Sequence, residues 1–310
     1  MIFRRLLHLA WSTVLLLFAV PAAASSCEPI PRGSSQITFS GWAGPTLPVF
    51  LHHPQSAGAD SPIIFVMHGV NRDGDRYRDE WRDLAEQHGF IVVVPNFGRE
   101  HFPTTASYNL GNIFDEMQKA SPRAQWSFSA IEPLFDDIVC RLDGQQRDYA
   151  LYGHSAGGQF VHRYVAFADA PRLRVAVAAN SGWYTMPDER AFPYGWGGVA
   201  RGLVDPATAF SRPLTVLLGT ADTDRDDPNL RRNEAADRQG LTRLARGETF
   251  FATARDRARE RQLPFAWRIA YAPGIAHSNA GMASHAIPYL LAASGHRPDI
   301  GERTTGDRQD

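Results

Sequence analysis

From residue 62 onward the chain alternates short β-branched apolar runs with longer segments of helical periodicity, and no other feature restricts its fold as strongly. The runs are IIFVMH (63–68), FIVVVP (90–95), YALYG (149–153), VAVAAN (175–180), LTVLLG (214–219) and AWRIAYA (266–272). Several are continuously apolar rather than alternating, as strands are when helices cover both faces of a parallel sheet. Helical patterns fill 75–88, 129–142, 156–168, 246–262 and 281–294. Two earlier runs, QITF (36–39) and LPVFLHH (47–53), have no helix between them, which predicts an antiparallel edge and argues against a closed (β/α)₈ barrel. The expected class is therefore α/β: a mostly parallel eight-stranded sheet with helices on both faces and an antiparallel N-terminal strand.

The first 24 residues fit neither a strand nor a globular helix. Arg4 and Arg5 precede an apolar stretch that is interrupted by His8, Ser12 and Thr13, ends at Pro21 and leads to small residues at Ala22 and Ala24. That pattern reads as a secretory leader, with cleavage expected after Ala24 and an apolar run short for a retained bilayer span. Residues 25–295 form one expected domain, with long insertions near 96–128 and 181–212, and 296–310 read as a disordered polar tail. The protein is expected to be secreted or periplasmic, with no membrane span after cleavage. Lipid attachment at Cys27 is disfavoured, because Ala24 stands where such signals carry a larger aliphatic residue. Cys27 and Cys140 are the only cysteines. Export permits a disulfide between them; a buried free thiol at Cys140 is the open alternative. A net charge of −1, with Lys119 as the sole lysine, lacks the basic footprint of a nucleic-acid binder.

The stretch YALYGHSAGGQF places Ser155 between Gly153 and Gly157, at the junction of a predicted strand and a predicted helix. A turn that only caps the helix would use the same residue types. A serine nucleophile, however, needs a base to take its proton and a carboxylate to orient that base. Both residue types follow later strands: Asp222 in GTADTD after the strand ending at Gly219, and His277 in APGIAHS after the strand at 266–272. Asp224 competes with Asp222 for the acid. His285 falls inside a helical pattern, His296 in the tail, and His154 beside the serine packs the turn. The aspartate run 222–227 lacks the glycine and glutamate of an EF-hand loop and is a poor Ca²⁺ site, and serine–histidine–aspartate chemistry calls for neither metal nor cofactor. An oxyanion would take the N–H of Ala156, at the helix start, and of Val70, aimed by the turn at Gly69, with Asn71 as the fallback. Tyr108, Trp183, Tyr184 and Trp196 in the two insertions are candidates to line an acyl pocket, with core packing as the alternative.

MHG, GHSAGG, LLGTADTD and PGIAHS together resemble the α/β-hydrolase superfamily, and within it the exported poly(3-hydroxybutyrate) depolymerase-like and feruloyl-esterase-like branch. The resemblance covers roughly residues 36–294. It implies Ser155 as nucleophile, Asp222 as acid, His277 as base and Val70 and Ala156 as oxyanion donors. It also implies hydrolysis of a small or oligomeric carboxylic ester through an acyl-enzyme. A serine peptidase on the same fold, or a binding protein that keeps the fold, remains open. No separate polymer-binding domain or linker is visible, which argues against attack on a solid polymer.

Overall fold

The computed structural model describes residues 27–115 and 117–292 of the chain, so the leader expected at 1–24 and the tail expected at 296–310 lie outside the described residues. Among the described residues ten strands occur: β1 (Gly33–Phe39), β2 (Leu47–His53), β3 (Ile63–Met67), β4 (Ile91–Pro95), β5 (Tyr149–His154), β6 (Leu173–Ala179), β7 (Met186–Ala191), β8 (Gly195–Gly197), β9 (Leu214–Gly219) and β10 (Arg268–Ala272). Eight of them make one sheet in the order β1-β2-β4-β3-β5-β6-β9-β10. The contacts β1–β2 and β2–β4 are antiparallel, and every other neighbour in the sheet is parallel. All eight apolar runs of the sequence lie in this sheet.

The helices are α1 (Gly74–His88), α2 (Ile131–Leu142), α3 (Ala156–Phe167), α4 (Pro206–Ser211), α5 (Glu234–Asp237), α6 (Arg243–Glu260) and α7 (Asn279–Leu290). Successive side chains of a strand face opposite ways, so β3 divides its residues between two cores. Ile64 and Val66 pack with Trp81 of α1 and Met282 of α7; Phe65 and Met67 pack with Leu134 of α2 and Phe160 of α3. Helix α3 is buried along its whole length, its polar Gln159, His162 and Arg163 included. Helix α6 starts at Arg243, three residues before the expected position, because the Thr242 side chain accepts from the Ala245 N–H. Ser278 caps α7 in the same way through Gly281.

The 181–212 insertion has structure of its own: β7 and β8 form a separate two-stranded sheet, and α4 follows. Cys27 and Cys140 are joined in a disulfide with Cα atoms 5.8 Å apart, tying the N-terminal segment to α2. Among the described residues no helix is long and apolar enough to cross a membrane. The parallel strands end at one rim of the sheet, and chain order reverses around β3, the place where folds of this kind gather their ligand-binding loops.

Candidate active site

Ser155 sits in the turn between β5 and α3 with φ +59° and ψ −115°, a conformation sparsely populated by non-glycine residues. Close packing of backbone on backbone holds it there. A Cβ at Gly153 would meet the Gly157 carbonyl oxygen at 2.3 Å, one at Gly157 would meet the Met67 oxygen at 1.9 Å, and one at Gly158 the Ala179 oxygen at 2.7 Å. The three glycines therefore let the start of α3 press onto β3, β5 and β6. The Ser155 N–H donates to Ala179 O at 3.0 Å and locks the turn to β6.

The other two strand-end residues reach this serine. His277 Nδ1 donates to Asp222 Oδ2 at 2.8 Å, and His277 Nε2 lies 3.0 Å from Ser155 Oγ, placed to accept its proton. Asp222 is 2% exposed. Asp224 is exposed and accepts from the Asp226 N–H inside its own turn, so it does not take the place of Asp222. His154 is buried with Nδ1 3.3 Å from the Tyr77 hydroxyl, its ring centroid 4.5 Å from that of His277. Burial, and then the positive fields of His277 and Arg243, hold its imidazole well below its ordinary pKa, so it packs there uncharged.

Two residues that position this cluster were not singled out from the sequence. Asn180, at the end of β6, accepts from the Gly219 N–H at 2.7 Å and donates to Ala276 O at 3.1 Å, clamping the turn before Asp222 to the residue before His277. Arg243 is 1% exposed and extends Nη1 to Asp222 Oδ1 (3.4 Å) and Asp227 Oδ2 (3.0 Å). Burial alone would raise the Asp227 carboxyl, but the Arg243 hydrogen bond leaves it below the usual carboxylate range. The residue after VAVAA and the first residue of α6 were the only local hints.

No family model matches the sequence. Poly(aspartic acid) hydrolase-1 from Sphingomonas sp. KT-1 superposes with a TM-score of 0.81 at 45% identity, over 85% of this chain and 100% of that one. LpqC, a poly(3-hydroxybutyrate) depolymerase from Bordetella parapertussis, superposes with a TM-score of 0.79 at 33% identity, over 87% and 93%. The chain belongs to the α/β-hydrolase family, in its esterase and depolymerase branch. Poly(3-hydroxyalkanoate) depolymerase C of Paucimonas lemoignei is 22% identical over 220 residues, 67% of this chain and 51% of that protein. This hydrolase spans about half or less of the length of the curated relatives it matches.

In this α/β-hydrolase the turn after β3 is braced from behind. The Phe97 N–H donates to His68 Nε2 at 3.0 Å, which leaves the proton on Nδ1, 3.1 Å from Gly69 O. Burial drives the His68 imidazole down to about 3, so it is neutral and keeps this tautomer. The N–H groups of Val70 and Ala156 donate to no protein acceptor among the described residues, and both residues line the cavity that opens beside Ser155. That cavity measures about 460 Å³.

Of the four aromatic candidates, only Trp183 lines it. Tyr108 is fully buried, donating its hydroxyl to His68 O at 2.7 Å, and so supports the turn after β3 rather than lining the cavity. Tyr184 is also fully buried and stacks on Phe250 with centroids 4.4 Å apart. Trp196 packs on Phe210 and lines a different depression, beside Arg257 and Arg261. Apolar contacts available in the insertion and α6 took those rings into packing. Among the described residues no group of three or more His, Cys, Asp or Glu side chains could hold a metal ion.

Proposed function

We propose that this chain hydrolyses carboxylic esters, with Ser155, His277 and Asp222 as the catalytic triad. The observation that carries the reading is His277, within hydrogen-bond reach of the serine hydroxyl on one nitrogen and of a buried carboxylate on the other. His277 Nε2 takes the Ser155 proton as Oγ attacks the acyl carbon, and Asp222 holds the tautomer and the imidazolium that forms. The N–H groups of Val70 and Ala156 receive the oxyanion, the latter helped by the dipole of α3. His277 returns the proton to the leaving alkoxide, and water, deprotonated by the same imidazole, resolves the acyl-enzyme. The chemistry needs no cofactor. The leader expected at 1–24 together with the disulfide supports action outside the cytoplasm.

An amide bond is the second reading. It is favoured by the 45% identity to a protein described as a poly(aspartic acid) hydrolase, since that polymer is joined through amides. Hydroxybutyrate oligomers assayed beside aspartate oligomers separate the two readings, and dominant amide turnover reverses their order. Ser155→Ala should lower the rate by at least ~10³-fold with little change in the thermal midpoint. Comparable activity in that variant, or absence of fluorophosphonate labelling at Ser155 in the parent, removes the mechanism.

A further inference from the structure

The cavity beside Ser155 has a one-sided charge. Arg72, Arg99 and Arg231 line it, and no aspartate or glutamate does. A fourth guanidinium, that of Arg163, is wholly buried behind its wall, 4.3 Å from the centre of the Trp183 ring, with Nη2 lacking any hydrogen-bond partner. Among the described residues two other arginines are as fully buried as Arg163, and both pair with carboxylates: Arg243 with Asp222 and Asp227, Arg246 with Asp237. Among the described residues Arg72, Arg99, Arg163 and Arg231 have no such partner.

Of the lining cations Arg72 is half-buried, while Arg99 and Arg231 are exposed. Arg72 donates to Phe97 O (3.0 Å) and Thr104 O (3.2 Å), and lies 4.1 Å over Tyr108. Burial, with Arg99 adding its repulsion, lowers its pKa to about 10. Arg99 donates to Val70 O at 2.8 Å, which links it to the oxyanion turn. Arg231 lies 4.8 Å over Trp183, and its guanidinium makes no hydrogen bond among the described residues. Cations fixed by stacking and carbonyl contacts, and left without counter-charge at a cavity wall, form a receptor for a carboxylate. The cleft on the other flank of Ser155 differs: Asp73, Glu80 and Arg76 line it, and Arg76 pairs with both acids, so its charges largely cancel.

We propose that this cavity is an anion subsite for a substrate that carries a free carboxylate on its acyl portion, with Arg231 and Arg99 as the residues that select for that charge. The proposal rests on the reading of Ser155 as nucleophile and specifies which substrates that site prefers. Trp183 acts as the positioning residue for Arg231.

The test compares two p-nitrophenyl esters with six-carbon acyl chains, hexanoate and mono-adipate, which differ in a terminal methyl against a terminal carboxylate. The adipate ester should show a kcat/KM at least about tenfold higher, the scale of one or two charge-assisted hydrogen bonds. Arg231→Gln and Arg99→Gln should each shrink that ratio by about threefold or more, as should ~0.5 M salt. Arg147→Gln, an exposed arginine outside the cavity, should leave the ratio unchanged. A ratio at or below unity, with turnover that depends on Ser155, overturns the subsite and leaves the nucleophile standing. If neither ester is cleaved and no fluorophosphonate label appears, the nucleophile reading fails, and calorimetry on Ser155→Ala then decides the subsite. Tetraglutamate should bind that variant about tenfold tighter than the isosteric tetraglutamine, an advantage reduced by adding Arg231→Gln. Equal binding of the two peptides overturns the proposal.

Discussion

Removing the guanidinium behind the candidate acid tests whether the site is built around a buried charge. Arg243 and Asp222 have side chains 1% exposed, and Nη1 lies 3.4 Å from Oδ1. At an effective dielectric constant of ~20 the attraction at that separation is about 5 kcal/mol, against about 1 kcal/mol in bulk water. Asp227, with a side chain 19% exposed, can recover its hydration when Arg243 is lost, but Asp222 cannot. Arg243→Met should therefore lower the unfolding free energy by about 3–5 kcal/mol, the range for stranding one member of a buried pair. Urea titration of Arg243→Met, Asp222→Asn and the double variant measures this directly. Because neutral asparagine removes the stranded charge, the double variant should be more stable than the sum of the single losses implies, with a coupling of at least about 1.5 kcal/mol. Asp222→Asn should also lower kcat by ~10³–10⁴-fold through the wrong His277 tautomer, and Arg243→Met by less. A loss below about 1 kcal/mol for Arg243→Met, the range of exposed ion pairs, or additive variants, refutes the argument.

Burial lowers the imidazoles of His68, to about 3, and of His154 and His162, both well below their ordinary value, with charge from His277 and from Arg163 respectively adding to the effect. The folded values lie under the unfolded ones, so stability is full above about pH 6.5 and is lost as pH falls below it, for His68 by ~1.4 kcal/mol per unit down to about 3 and for His154 and His162 in the same direction. Urea midpoints that stay level between about pH 6.5 and 5 contradict this. Reduction of the Cys27–Cys140 disulfide, which closes a loop of 113 residues, should lower stability by up to about 4–5 kcal/mol on the chain-entropy account. A thermal midpoint unmoved by dithiothreitol counts against it. Gly157→Ala places a Cβ 1.9 Å from Met67 O, a backbone atom with no freedom to retreat, and should yield little folded protein. A soluble, active Gly157→Ala would mean that α3 can lift from the sheet.

The eight sheet strands and the main helices were readable because their signals are local: a buried parallel strand must be apolar throughout, and a covered helix must repeat its apolar positions. Ser155, Asp222 and His277 stood out for a related reason, since each follows a strand whose end the pattern already marks. What a long insertion does with its aromatics is a different kind of question. Tyr108, Tyr184 and Trp196 are as plausible in a pocket as in a core, and only the partners brought by distant segments, His68, Phe250 and Phe210, decided for packing. Asp222 and Asp224 lie two residues apart in one acidic run, so reach to His277, a matter of where two loops cross, had to choose between them. Asn180 and Arg243 carry no motif at all; each matters through bonds to residues between 16 and 96 positions away. The same holds for the charge of the cavity. Arg72, Arg99 and Arg231 are ordinary in a chain this rich in arginine, and their meaning comes from converging on one wall without a carboxylate, because electrostatic fields add in space and not along the sequence.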